Sequence, residues 1–341
     1  MGKIADQLAA EVFCRVGRIK QLWHGCGVIY VLLFLMAGSI LSAQETFSVF
    51  WENDSRYLKP NGESDRHYTN GLKLVYTAQP KWQWLEEFGD WGSAVQSEDT
   101  EKAVGFFLGQ NIYTPNHADE PANRKDKERP FAGWLYTGLF VQRREGAMLD
   151  HVELNLGVIG PSSRADRTQQ CIHEMLNSTN PVGWDDQLGD EPAADFTWVR
   201  KQRREEGFLA PTEHTDAIVD FGFTAGSLHR HAEAGIMFRY GGNLPKDFGP
   251  GRLSLPSSAA SRDIDADKSF YLFTRLSGRV VEHDRFLSGV SPEPFVGQAE
   301  AGVVCRFGDF EVAYSQTFLS HEFKQQGPHD SFGALTLTWL F

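Results

Sequence analysis

Apolar and polar residues alternate one by one through most of the chain beyond residue 45. Val152, Leu154, Leu156 and Val158 interleave with Glu153, Asn155 and Gly157. Val219, Phe221 and Phe223 interleave with Asp220, Gly222 and Thr224, and Phe310, Val312 and Tyr314 with Glu311, Ala313 and Ser315. A period of two sends each set to its own face of a β-strand. One face here wants hydrocarbon and the other wants water, which is the pattern of a barrel wall in a membrane.

Such segments lie near 46–53, 67–78, 103–113, 131–143, 150–159, 193–203, 215–226, 230–241, 268–282, 294–307, 309–321 and 331–341. They number twelve, an even count of the kind a closed single-chain barrel requires. The sixth is the least regular, because Arg200, Lys201, Arg203 and Arg204 crowd its end. Gly226-Ser227 and Gly308-Asp309 read as tight turns, whereas 54–66, 114–130, 160–192, 242–267 and 322–330 are longer and polar. The expectation is short turns on one rim and long loops on the other. In the last segment Leu335, Leu337, Trp339 and Phe341 alternate with Ala334, Thr336 and Thr338. It resembles the C-terminal strand by which outer-membrane assembly machinery recognises barrels. A soluble sandwich can also end on a strand, but has less reason to stop on an exposed aromatic.

Composition supports the same class. The 25 Phe and 9 Trp suit a wall in which every second residue meets lipid. No apolar run is long enough for a mature transmembrane helix. Arg15, Arg18 and Lys20 precede an apolar stretch from Val28 to Leu41, and Ser42-Ala43 offers a small-residue cleavage site. That pattern predicts a signal peptide over residues 1–43 and a barrel domain over 44–341; the stretch is short for an uncleaved anchor. Removing 1–43, with four basic and two acidic residues, takes the net charge from −12 to −14. Such acidity argues against nucleic acid as a partner. Cys171 and Cys305 remain after cleavage and are read equally well as one disulfide or two thiols. The expected fold is all-β, a transmembrane antiparallel β-barrel of about twelve strands with a short helix in an extracellular loop.

Two polar clusters break the strand pattern. Glu52-Asn53-Asp54 closes the first strand, and Asp65-Arg66-His67-Tyr68-Thr69-Asn70-Gly71 opens the second. Antiparallel pairing brings Asn53 and Asp54 near Thr69. Their oxygens suit a hard cation, calcium before zinc, although Asn and Asp at a loop base also satisfy local backbone. The second cluster runs through Gln169-Gln170-Cys171-Ile172-His173-Glu174 to Gly183-Trp184-Asp185-Asp186. Asp166 to Leu176 can form a short helix carrying His173, which is a candidate general base or a satisfied structural histidine. There is no G-x-S-x-G motif, and neither Ser162 nor Ser163 is spaced to work with His173. A water nucleophile fits better than a serine.

Taken together, Phe50-Trp51-Glu52-Asn53-Asp54, Asp65 through Gly71, Asn111-Ile112-Tyr113-Thr114-Pro115, Arg129 through Leu135, Gly157 through Pro161 and Gly183 through Leu188 resemble the outer-membrane lipid A deacylases of the LpxR type. The resemblance runs from about residue 46 to the C-terminus. It implies a twelve-stranded barrel in the bacterial outer membrane and a calcium-dependent esterase that removes the 3′-linked acyloxyacyl group of lipid A. It also implies a site at the outer rim, between the wall and a loop helix. Carried over residue by residue, the catalytic set falls on His173, Asn53, Asp54 and Thr69, with Asp54 at the metal. The family's basic substrate-binding residues correspond loosely to Arg124, Lys125 and Lys127, which also read as a solvated loop. The chain departs from the pattern at Thr179, where the family has an essential glutamate; Glu174, Asp185, Asp186 and Glu191 are the nearby acids. The partners implied are lipid A or lipopolysaccharide, outer-membrane lipid and the assembly machinery. A barrel phospholipase, and a non-enzymatic structural barrel or narrow pore, are the rival readings.

Overall fold

The computed structural model describes residues 45–54, 66–79, 100–116, 118, 128–176, 178–204, 211–256, 268–327 and 329–340. The predicted signal peptide and Arg124, Lys125 and Lys127 lie outside them. The twelve strands are β1 (Thr46–Asn53), β2 (His67–Ala78), β3 (Glu101–Thr114), β4 (Ala132–Glu145), β5 (Met148–Ile159), β6 (Glu191–Arg203), β7 (Thr215–Gly226), β8 (His229–Gly242), β9 (Lys268–Asp284), β10 (Phe295–Phe307), β11 (Phe310–Leu319) and β12 (Ser331–Leu340). Each pairs antiparallel with its neighbours in sequence. β1 closes the barrel on β12, from Thr46 opposite Leu340 to Asn53 opposite Gly333. Closure leaves no sheet edge, so every wall amide has a partner in a solvent that offers none.

The two faces divide as the alternation predicts. Phe270, Leu272, Leu276 and Val280 of β9 are exposed on the outside, as are Leu154, Leu156, Phe221, Phe223, Phe310, Tyr314 and Trp339. From Phe270 to Val280 the outward positions span roughly 25 Å along the axis, at ~3.3 Å per residue and ~40° tilt, about the height of a lipid-facing band. Inside, the buried charges are matched. Arg275 bonds Asp220 at 2.6 Å and Glu233 at 2.8 Å, Arg239 pairs with Asp216 and Asp247, and Lys73 meets Glu153 at 3.1 Å. The irregular end of β6 joins this system: Lys201 is buried and donates to the Pro256 carbonyl at 2.7 Å. Glycines make room for rings where the wall is crowded. A Cβ on Gly105 would lie 2.1 Å from Phe140, and one on Gly109 would lie 2.3 Å from Tyr136.

The expected division of loops between rims is corrected. The upper rim carries the connections β1–β2, β3–β4 and β5–β6, and also the tight turn between β7 and β8. The long 242–267 connection follows β8 and therefore belongs to the lower rim. It does not hang into solvent. Residues 245–253 are almost entirely buried and turn back into the barrel. Arg252 donates to Thr317 at 3.1 Å and Gln298 at 3.2 Å, the Leu253 amide donates to Glu52 at 3.0 Å, and Thr336 donates to the Gly251 carbonyl at 3.2 Å. A sequence run without period 2 thus plugs the lumen from below.

From above the lumen is capped by the buried Phe286 and Phe323 and by a polar knot. There His67 bonds Asp330 at 2.6 Å and Glu128 at 3.1 Å, and Arg66 bonds Asp330 at 2.9 Å. Between plug and cap remains a polar cavity of about 200 Å³.

Candidate functional site

A row of outward-facing positions crosses the top of the first four strands. Asn53 lies opposite Asn70, Asn70 opposite Ile112, and Ile112 opposite Gly133. The adjacent Trp134 and Tyr136 face the lumen, which fixes Gly133 on the outside. Helix α1 (Ala165–Leu176) rests on this outer face. A Cβ on Gly133 would lie 2.2 Å from Ala165 Cβ, so the glycine is what lets the helix approach. Gln110, also outward, donates to the Ser163 carbonyl at 2.7 Å just before the helix.

The ridge of α1 turned to the wall is Ala165, Gln169 and His173, one residue per turn, all buried. Two of the three are polar, where a helix serving only as a cover would present aliphatic side chains. Trp184, in the 3-10 turn Trp184–Asp186, donates to Gln169 at 2.9 Å and packs on Phe131 at 5.0 Å between ring centroids. His173 Nδ1 lies 2.6 Å from the Thr179 carbonyl. A carbonyl only accepts, so Nδ1 carries the proton and the lone pair of the neutral ring sits on Nε2.

The strand-borne cluster forms as antiparallel pairing predicts. β2 bulges between Tyr68 and Asn70, with Thr69 as the extra residue. The Thr69 carbonyl accepts from the Asp54 amide at 3.3 Å and from Asn53 Nδ2 at 3.0 Å. Thr69 Oγ1 shares a 2.7 Å bond with Thr114 Oγ1. Asp54 is buried, and its Oδ2 accepts from the Arg66 amide at 2.8 Å. Asn53, Asp54 and Thr69 therefore form one bonded group on the same rim as α1.

The acids near Thr179 are placed elsewhere. Glu174 is exposed and pairs with Gln170 at 3.1 Å, and Glu191 grips Arg285. Asp185 and Asp186 are exposed. Among the described residues, no three His, Cys, Asp or Glu side chains stand in a metal-holding group. Both candidate serines are structural: Ser163 Oγ donates to the Gly160 carbonyl at 2.6 Å and Ser162 Oγ to Asp190 at 2.7 Å. These bonds with Ser162 hold the Asp190 carboxyl below its usual range. Cys171 on α1 and Cys305 on β10 are not bridged to each other. The open choice between disulfide and thiols resolves to thiols, because Cys171 lies on the upper-rim helix and Cys305 near the lower-rim turn between β10 and β11.

Sequence reasoning gave no role to Trp51, Asn70 or Gln169. A signal existed for Asn70: strand register places it on the lipid side, where an amide is out of place unless something binds it.

A closed twelve-stranded barrel with apolar outer wall, charged and plugged lumen, and helix-covered polar patch on the outer face defines an outer-membrane barrel whose polar groups outside the lumen turn toward lipid. The chain belongs to the LpxR family of outer-membrane proteins: the family model described as outer membrane protein LpxR matches residues 27–341. Among solved structures, LpxR from Salmonella typhimurium is similar at 18% identity with a TM-score of 0.69, covering 87% of this chain and 100% of that one. The KdgM porin, at 4% identity with TM-score 0.38, covers 87% of this chain and 99% of that one. The translocator domain of the autotransporter NalP from Neisseria meningitidis, at 10% and 0.38, covers 98% of each chain. No curated protein sequence matches the chain. Its location is the bacterial outer membrane.

Proposed function

We propose that this protein is a lipid A 3′-O-deacylase, hydrolysing the ester of the 3′-linked acyloxyacyl group in the outer leaflet. The observation that carries the reading is the buried polar ridge of α1. A histidine with its tautomer fixed is pressed against the outside of the wall, on the rim that also bears the Asn53–Asp54–Thr69 group. Lengths support their meeting. From Ala165 on Gly133, α1 runs roughly 12 Å to His173 at 1.5 Å per residue. The row from Gly133 back to Asn53 crosses three strand spacings, roughly 14 Å.

In the mechanism, His173 Nε2 takes a proton from water as that water attacks the ester carbonyl, and returns it to the departing sugar oxygen. The Thr179 carbonyl orients the ring and stabilises the imidazolium, less strongly than a charged partner would; the acidic metal ligand that the family has at this position is replaced here by Thr179. Asn53 and Thr69 organise the pocket. The oxygen donors fit a hard cation such as calcium. Asn53 must turn its nitrogen to the Thr69 carbonyl, so its Oδ1 faces away from that bond. Asp54, with Asn53, would hold the ion, which when bound supplies positive charge for the developing oxyanion. Arg124 and Lys125 are assigned to the lipid A phosphates.

The test is mass spectrometry of lipid A incubated with purified protein and calcium. Loss of the 3′ acyl chains by wild type and not by His173→Ala supports the reading. Unchanged lipid A with folded wild-type protein and calcium overturns it. The pore reading is disfavoured by the plugged lumen, and the serine phospholipase reading by the structural bonds of Ser162 and Ser163.

A further inference from the structure

On the outer wall beside the site, Trp51 and Asn70, to which the proposed chemistry assigns no task, form a hydrogen-bonded chain with Asn53. Trp51 points outward, 48% exposed, two residues before Asn53 on β1. Its Nε1 donates to Asn70 Oδ1 at 2.8 Å. Asn70 is buried, directly across from Asn53, and the same Oδ1 accepts from Asn53 Nδ2 at 3.5 Å. Nδ2 also donates to the Thr69 carbonyl at 3.0 Å.

Two orientations in this chain are forced. An indole N–H can only donate, so Asn70 must present its oxygen to Trp51. A backbone carbonyl can only accept, so Asn53 must present its nitrogen to Thr69. The direction of the Asn53 amide is thereby tied, through one shared oxygen, to a ring on the lipid side. A tryptophan near a membrane surface usually turns its N–H to water or headgroups. Here that donor goes to a buried amide, where water is scarce and an unmade bond is costly. The ring itself is flat and apolar. Across the two neighbouring strands it is flanked by Leu72 and Leu335, so an acyl chain approaching Asn53 along the wall meets this surface first.

We propose that Trp51 and Asn70 are a lipid-side positioning pair. The Trp51 ring is the platform on which the acyl chain of a lipid ester lies, and its N–H, through Asn70, holds the Asn53 amide with its oxygen toward the pocket. This rests on the deacylase reading for the identity of the ester. Neither residue takes part in bond making.

The experiment compares four single variants and one double variant with wild type, using lipid A and calcium. Trp51→Phe keeps an apolar ring and removes the N–H, so kcat falls about five- to tenfold with KM unchanged, the effect of one lost hydrogen bond. Asn70→Ala gives the same fall, and Trp51→Phe with Asn70→Ala gives no more than either alone. Asn70→Asp keeps an oxygen for both donors and recovers most of the loss. Trp51→Ala lowers kcat similarly and also raises KM, more for long acyl chains than short ones. In parallel, the side-chain amide NMR signals of asparagine-labelled protein are followed. The Asn53 signal shifts in Trp51→Phe and Asn70→Ala and returns in Asn70→Asp. Wild-type kcat in both Trp51→Phe and Asn70→Ala, or an Asn53 signal that does not move in them, overturns the positioning role. Unchanged KM in Trp51→Ala overturns the platform. If folded wild type releases no acyl chain, the deacylase reading fails and takes the platform with it; the amide signals still decide the positioning role.

Discussion

Two histidines of this barrel, the half-buried His229 and the buried His173, look alike by their bonds and differ in what can reach them. His229 in the lumen has Nδ1 2.7 Å from Asp195, whose other oxygen takes the Leu228 amide at 3.0 Å. Judged by pairing alone, this histidine–aspartate couple is the better general base. It lines the luminal cavity, which the buried Leu253 and Leu255 of the plug also line. His173 on α1 has the Thr179 carbonyl at its Nδ1, and its helix lies on the outside of the wall. Under the deacylase reading, access rather than the strength of the partner decides which of the two histidines works, in a barrel with two solvents.

Truncation of each histidine has the largest expected effect. His173→Ala lowers acyl release by about 10²–10⁴-fold, the range of a lost general base. His229→Ala leaves acyl release within a small factor and instead costs about 1–3 kcal/mol of stability, because the buried Asp195 Oδ2 loses its imidazole partner while Oδ1 keeps its backbone amides. Mass spectrometry and urea unfolding in liposomes separate the two effects. If His229→Ala abolishes release, the lumen is the site.

Next in size is the lumen's own charge network. Arg275→Met strands Asp220 and Glu233 and lowers stability by about 3–5 kcal/mol, read in the same unfolding assay, with acyl release by the folded fraction unchanged. A smaller change is expected for the plug. Arg252→Ala cuts its ties to Thr317 and Gln298. Planar-bilayer recordings should then show brief openings in a barrel that is otherwise silent. Openings of equal frequency in wild type would contradict a closed lumen.

The least effect is at the loop that carries α1. Its ends are tied by Ser162 and Asp190, and the Asp190 carboxyl is held below its usual value of 3.8. A carboxyl depressed on folding contributes its stabilisation above the unfolded value and loses it as pH falls through the lower, folded one. Protection of this loop from proteolysis is therefore flat from neutral pH down to about 4 and weakens only in stronger acid. Ser162→Ala removes that acid dependence.

The wall was legible in the sequence because two solvents act on alternate residues. Leu154 and Leu156 go out, Glu153 and Asn155 go in, and the strand ends fall within a few residues of expectation. The end of β6 looked irregular because Lys201 and Arg203 bring charge to a strand, yet both turn to a lumen that pairs charges. The plug was not legible. Its burial comes from contacts with β1, β6, β10, β11 and β12, and nothing local in residues 245–256 encodes a lumen. The same holds for the rim to which 242–267 belongs. At the site, the Asn53–Asp54–Thr69 grouping followed from strand pairing. The carbonyl of Thr179 behind His173 did not, because a backbone carbonyl has no letter in the sequence.

In the proposed mechanism the helix and the strand ends share one pocket outside the wall. Cross-linking in intact outer membranes tests it, with Cys171 and Cys305 replaced by serine and a short bifunctional thiol reagent. The account predicts that His173→Cys joins to Asn53→Cys, while His229→Cys does not. If single-site labelling shows both cysteines of the first pair to be reactive and no cross-link forms between them, the shared pocket is contradicted.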